Sequence, residues 1–389
     1  MIPYGRQEIT EADLAAVKAV LQSDWLTQGP AVPAFEAAVA RRVGAAHAVA
    51  VNSATSALHL ACLALDLGPG DWLWTSPITF VASANCARYC GAEVDFVDID
   101  PHTRNLCPQA LAEKLRIAEG QGRLPKVVVA VHFGGLACDM PALKALAGRY
   151  GFRLIEDASH AIGASVAGVP VGAGQASDIT VFSFHPVKII TTGEGGMALT
   201  NQPELARRMA CLRSHGITRE AVEMEAAFRS EGDGPWYYQQ IELGFNYRMT
   251  DLQAALGLSQ LERLDDYIAH REQLATAYDQ ALASLPLALP ARRPGYQSAW
   301  HLYPVALTDA AGDDRLSLFN ALREAGIGVN VHYIPVHLQP YYRHLGFAPG
   351  QYPQAENYYS RALTLPLYPT LGSDEQAQVI AALQARLAT

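Results

Sequence analysis

Over its first 250 residues the chain alternates short apolar runs with stretches whose apolar positions recur at helical spacing. "TEADLAAVKAVLQ" predicts a helix with Thr10 as N-cap, and "AVPAFEAAVARRVG" predicts a second that ends at Gly44. The runs "HAVAVN", "DWLWTS", "AEVDFVDI", "KVVVAVHF", "FRLIEDA", "DITVFSF" and "GGMALTN" follow. They are rich in valine and isoleucine and are separated by helical segments such as "SALHLACLALDLG" and "MPALKALAGRYG". That alternation predicts βαβ units and an α/β domain around a mainly parallel seven-stranded sheet. Next, "TDLQAALGLSQLERLDDYIAHREQLATAYDQALASL" predicts one long helix or two in series, and "LPLALPARRPGYQS" a proline-rich loop. "AWHLYPVAL", the helix "RLSLFNALREAG", the strand "IGVNVHYIPV" and a closing helix from about Ser373 complete a smaller α+β unit. The expected division is an N-terminal arm and helix over 1–25, a large domain over 26–250, and a bridging helix with a small C-terminal domain over 251–389.

Composition narrows the function. A chain of 389 residues, 50% hydrophobic and 17% charged, can bury a large core. A net charge of -9 argues against a nucleic-acid partner but leaves room for a local basic pocket. The six cysteines (Cys62, Cys86, Cys90, Cys107, Cys138, Cys211) include no C-x-x-C pair and read as reduced thiols. His332, His337 and His344 lack zinc spacing, so no metal is expected. "MIPYGRQEITEAD" is no secretory leader and no window suggests a membrane span, which points to a soluble, cytoplasmic protein.

In an open parallel sheet, ligands collect at the carboxyl ends of strands. Ser53, Ala54 and Thr55 open a helix after "HAVAVN", where they could be ordinary capping or a phosphate cradle. Phe80 follows "DWLWTSP", as a core residue or as the cover of a flat ring. Glu156 and Asp157 close "RLIED", and an acid buried there needs a cation or donor. His160 could be a structural hydrogen-bonder or reach a ring hydroxyl. Beyond "DITVFSF" come Ser183, His185 and Lys188, one of only five lysines in the chain. Burial would favour a neutral, nucleophilic amine at Lys188, and Gly193, Gly195 and Gly196 would allow a tight return into the next strand. Lys188, Asp157 and the turn at residues 53 to 55 together suit pyridoxal phosphate.

Those stretches, with "RSHGI" and "LGFNYRMTDLQAALGLSQLERLD", resemble the DegT/DnrJ/EryC1/StrS family of pyridoxal-phosphate sugar aminotransferases, of aspartate-aminotransferase fold type I. The likeness covers essentially the whole chain. "WLTQGPAVPAFE", "DGPWYYQQIELGFNYRMTD" and "GIGVNVHYIPVHLQPYY" look like the branch that aminates C4 of a UDP-4-keto-6-deoxy-N-acetylhexosamine in pseudaminic acid synthesis. The resemblance implies Lys188 as the Schiff-base lysine, Asp157 as partner of the pyridine nitrogen and Phe80 as the stacking ring. Ala54, Thr55 and Ser183 fall at phosphate positions, and His160 stands where many relatives carry glutamine. It further implies L-glutamate as donor, Asn246 of "GFNYR" reaching the phosphate of a neighbouring subunit, and a homodimer with shared sites. "HFGGLACDM" departs from the "FAGQ" type of sequence in relatives, around Gly134 to Ala137. Arg6, Arg213, His215, Arg229 and His332 are candidates for holding the UDP. Three alternatives stand beside this: a dehydratase, which would carry histidine in place of Lys188; an aminotransferase for a dTDP-, GDP- or UDP-arabinose-type sugar; and a non-catalytic regulatory protein, which would need neither Lys188 nor Asp157.

Overall fold

The computed structural model describes residues 1–230, 232–312 and 314–387. All seven apolar runs form one sheet: β1 (His47–Val51), β2 (Trp72–Thr75), β3 (Glu93–Phe96), β4 (Val127–Val131), β5 (Arg153–Asp157), β6 (Ile179–Ser183) and β7 (Gly196–Thr200). Their order is β1-β7-β6-β5-β4-β2-β3. Pairing is parallel from β6 through β5, β4 and β2 to β3, while β7 runs antiparallel to both β6 and β1. Residues 184–195, which join β6 to β7, contain no helix, and a parallel crossover normally needs one.

Strand alternation divides the core between the two faces of the sheet. Val127, Val129 and Val131 pack with Leu58 and Leu60 of α3 (Ala54–Ala64) and Ala84 of α4 (Ala82–Tyr89). Val128 and Ala130 face the other way, against Leu111 and Leu115 of α5 (Pro108–Gln121) and Leu143 of α6 (Met140–Tyr150). Burying each such valine contributes about 2 kcal/mol. Around this frame lie α1 (Glu11–Leu21), α2 (Ala31–Val43), closed by Gly44, and α7 (Pro203–Arg213).

The helical stretch after residue 250 is two helices, α8 (Asp251–Leu261) and α9 (Leu264–Leu282). Arg263 occupies the break and reaches Asp13 of α1 at 2.7 Å. Ser259 and Gln260 bind the same carboxylate at 2.6 and 2.9 Å, so the N-terminal helix is tied to α8. Although burial works against its charge, Asp13 is held below the usual carboxylate range by Arg263, Ser259 and the Thr10 N–H.

A three-stranded antiparallel sheet follows, β8 (Leu287–Ala288), β9 (Tyr303–Leu307) and β10 (Ala362–Leu365). Its core includes Leu318 and Leu322 of α10 (Arg315–Glu324) and Val379 and Leu383 of α11 (Ser373–Leu387). Ile2 is buried in the same cluster and bonds the backbone of Gly326 and Gly328. The expected strand "IGVNVHYIPV" is not formed: Ile327 makes a single bridge to Ile2, and Asn330 a single bridge to Thr364. Side chains take over where a ladder would run, with His332 Nδ1 at 2.8 Å from Thr364 Oγ1 and the His332 carbonyl accepting from the Tyr358 hydroxyl. "AWHLYPVAL" becomes a strand only at Tyr303, because Ala299 and Leu302 donate to the Gly135 and Gly134 carbonyls instead. Among the described residues no helix is long and apolar enough to cross a membrane.

Candidate active site

A cavity of about 940 Å³ opens where β1, β5 and β6 end, and Ser53, Ala54, Thr55, Phe80, Asp157, His160, Ser183, Lys188 and His332 all line it. Segments far apart in sequence thus converge on one space.

The two acids of "RLIED" separate because successive strand residues face opposite sides. Glu156 turns away from the cavity, to His132 at 2.7 Å and to Thr180 and Ser177. Asp157 turns into it, fixed by the Ser83 hydroxyl at 2.6 Å and by the Ser159 hydroxyl and N–H at 2.6 and 3.1 Å. These three donors hold the carboxylate in place without neutralising it. Burial pushes the Lys188 amine down to about 8, and the charge on Asp157 limits that fall. Such an amine is neutral often enough near neutral pH to attack a carbonyl carbon.

At the end of β1, Ser53 proves to be the cap of α3: its Oγ accepts from the Ser56 N–H at 3.1 Å. Capping and anion binding are compatible here, since helix geometry leaves the Ala54 and Thr55 N–H groups without acceptors in the helix. Gly196 makes the cradle possible. A Cβ at that position would lie 2.5 Å from the Ala54 nitrogen, so β7 can pass behind the turn only as glycine. The Ser183 hydroxyl faces the same cavity, and Phe80, 60% exposed, stands at its edge with a free ring face.

His160 is anchored on both sides. Its Nδ1 accepts from the Gly134 N–H at 3.2 Å, which assigns the proton of the neutral ring to Nε2 and makes Nε2 the donor to the Tyr333 hydroxyl at 3.1 Å. The Tyr333 proton is then left for another acceptor. Gly134 and Gly135 of "HFGGLACDM" shape this contact: Gly135 has φ 105, and a Cβ there would meet the Trp300 nitrogen at 2.8 Å.

Sequence reasoning missed His301, Tyr333, Tyr4 and the serines that hold Asp157; all but Ser83 line the cavity. His301 is 4% exposed, its Nδ1 has no partner among the described residues, and its ring lies 4.4 Å from that of His160. Buried Arg271 positions it by donating to the carbonyls of Trp300, His301 and Leu367. Burial, followed by His160 for His301 and by Lys188 for His160 and His332, lowers all three imidazoles, with His332 reaching about 3. They are neutral donors and acceptors, so His332 is no cation for a diphosphate.

The remaining candidates lie elsewhere. Arg213 is paired with Glu36 at 2.6 Å and with the Ala50 carbonyl at 2.7 Å. Arg6, His215, Arg229 and Asn246 are exposed and do not line the cavity.

The residues present fit one cofactor: a helix N-terminus suits a phosphate, an anchored carboxylate a protonated ring nitrogen, and a poised amine a carbonyl. They define a pyridoxal-phosphate-dependent aminotransferase. The chain belongs to the DegT/DnrJ/EryC1/StrS aminotransferase family, matched over residues 7–384. It is 41% identical to the "Spore coat polysaccharide biosynthesis protein SpsC" of Bacillus subtilis, over 98% of this chain and 96% of that one. Among solved structures it resembles Helicobacter pylori PseC, an "aminotransferase involved in the biosynthesis of pseudoaminic acid", with 29% identity, TM-score 0.89 and coverage of 100% and 99%. The putative sugar aminotransferase Spr1654 of Streptococcus pneumoniae in its PMP-form matches with 30% identity, TM-score 0.90 and coverage of 100% and 99%. The fold is therefore that of the pyridoxal-phosphate aminotransferases, and the chain is a sugar aminotransferase with pyridoxal phosphate as its cofactor.

Proposed function

We propose that the enzyme moves the amino group of L-glutamate to C4 of a UDP-linked 4-keto-6-deoxy-N-acetylhexosamine, a step of pseudaminic acid synthesis. The observation that carries the reading is the convergence of Lys188 and Asp157 on the cavity that also holds the start of α3. Lys188 would hold the cofactor through Nζ, and its amine, when free, would move a proton at the donor's α-carbon and then at C4 of the sugar. Pyridoxal phosphate, when bound, supplies the electron sink for that proton transfer. Asp157, held by Ser83 and Ser159, would keep a proton on the pyridine nitrogen. Phe80 would cover the ring, His160 would face its hydroxyl, and the N–H groups of Ala54 and Thr55 would take the phosphate with Ser53 and Ser183.

Asn246, exposed and outside its own cavity, serves the phosphate site of a second copy in a homodimer. Trp25, Leu26, Phe228, Trp236 and Leu243 are large apolar side chains that lie exposed, and a partner would cover them. The similarity to PseC supports the substrate. Similarity to SpsC, named for a spore coat polysaccharide, favours as second reading the same transfer to another nucleotide-linked 4-keto sugar. The test is incubation of holoenzyme with glutamate and a panel of nucleotide 4-keto sugars, with product stereochemistry at C4 read by NMR. Amination of a UDP-linked N-acetyl sugar is expected. Turnover of dTDP- or GDP-sugars alone would replace the first reading with the second.

A further inference from the structure

α4 also borders a second cavity, of about 440 Å³, which the catalytic chemistry does not use. Phe80 and Ala82 line the first cavity while Val81 and Asn85 line the second, so the two adjoin at the first turn of one helix. Tyr89 and Tyr341 flank the second cavity with rings that are 54% and 52% exposed. Arg88 lies there too: its Nη1 donates to Glu93 and to the Ala92 carbonyl, each at 2.8 Å, while its buried Nε has no partner among the described residues. What the groove offers is aromatic surface and amide chemistry.

Asn85 sets the polarity of that chemistry. Its Oδ1 accepts from the hydroxyl of buried Tyr342 at 2.6 Å, which fixes the amide and leaves Nδ2, with two N–H donors, without a partner among the described residues. A planar ligand stacked on the tyrosines would meet a donor at its edge. Uracil and thymine present two carbonyl acceptors to such a donor.

We propose that this groove seats the pyrimidine base of the nucleotide sugar, stacked on Tyr89 and Tyr341, with Asn85 Nδ2 donating to a base carbonyl. The inference rests on the nucleotide-sugar reading above and adds to it the place where the base is recognised. The sugar then extends past the start of α4 towards Lys188.

Calorimetric titration of the holoenzyme with UDP and dTDP tests this, with the variants Tyr341→Ala and Asn85→Asp. The second variant keeps an acceptor for the Tyr342 hydroxyl, removes the donor and puts a charged acceptor in its place. Loss of one stacking ring weakens UDP binding by roughly 5- to 150-fold. Asn85→Asp weakens it by about tenfold. Wild-type affinity for UDP in both variants overturns the proposal. The same preparation is mixed with glutamate: a change in its visible absorption without any UDP binding refutes the groove and leaves the aminotransferase standing, whereas no response to either refutes both.

Discussion

Replacing Gly196 with alanine should loosen the cofactor without touching any group that reacts. A Cβ there would lie 2.5 Å from the Ala54 nitrogen, 2.5 Å from the Ser53 carbonyl carbon and 2.6 Å from the Ser53 oxygen, whereas ordinary contact begins at 3.4 Å. All three are backbone atoms, so no side chain can swing aside. β7 is paired on both edges, to β1 and to β6, and cannot retreat. The turn at Ser53 to Thr55 must therefore withdraw by nearly 1 Å, the scale of misplacement that costs about a hundredfold at a working site. Strain of this kind costs about 1–3 kcal/mol of stability. The assay is titration of apo-protein with pyridoxal phosphate beside a thermal melt, with Gly193→Ala as control. Gly193 has φ +80 and no atom within 4 Å of its Cβ position, so alanine there strains the backbone without pressing on the cradle. The expected result is a cofactor affinity some tenfold to hundredfold lower for Gly196→Ala and nearly unchanged for Gly193→Ala. Equal affinity in Gly196→Ala and wild type would refute the cradle at α3.

Two further predictions concern charge. With its amine lowered to about 8, Lys188 is roughly one-quarter neutral at pH 7.5, against about one part in a thousand for an ordinary lysine. Capture of pyridoxal phosphate by apo-protein, followed by absorbance, should rise with pH and level off above about 8 to 9; a rate still climbing at pH 10 would contradict the buried amine. Glu156 is held below its usual range: burial opposes its charge, but His132, Ser177 and Thr180 outweigh that. A folded-state value below the unfolded one means that its contribution is complete above about pH 4.5 and is lost as pH falls through the folded value. Glu156→Gln should lose roughly 3 kcal/mol in denaturant melts at pH 7, and the two curves should converge in acid; a constant gap down to pH 3 would argue against the pair.

How far the sequence could be read depended on which interactions are local. Apolar runs bounded by turn residues identified all seven strands of the large sheet, and Gly44 and Thr10 marked helix ends correctly. The direction of β7 was not legible from length, because residues 184–195 number about the dozen a crossover requires; they form no helix, and the strand returns antiparallel. The failure at "IGVNVHYIPV" has a different origin: its alternation is real, but its backbone partners are Ile2 and Thr364, hundreds or tens of residues away. Lys188 and Asp157 were visible because chemistry demands those residue types at strand ends. His301 was not, since its approach to His160 depends on a glycine turn in one segment and on Arg271 in another. Arg213 shows the opposite error, a cation named for a ligand that serves Glu36 instead.

The central claim is that Lys188, among the five lysines of the chain, is the amine that holds the cofactor. Borohydride reduction of the holoenzyme, followed by digestion and mass spectrometry, tests it directly. The reduced cofactor's mass should appear on the peptide containing Lys188, and Lys188→Ala should carry none. The same mass on a peptide containing Lys18, Lys114, Lys126 or Lys144, or label retained in Lys188→Ala, would contradict it.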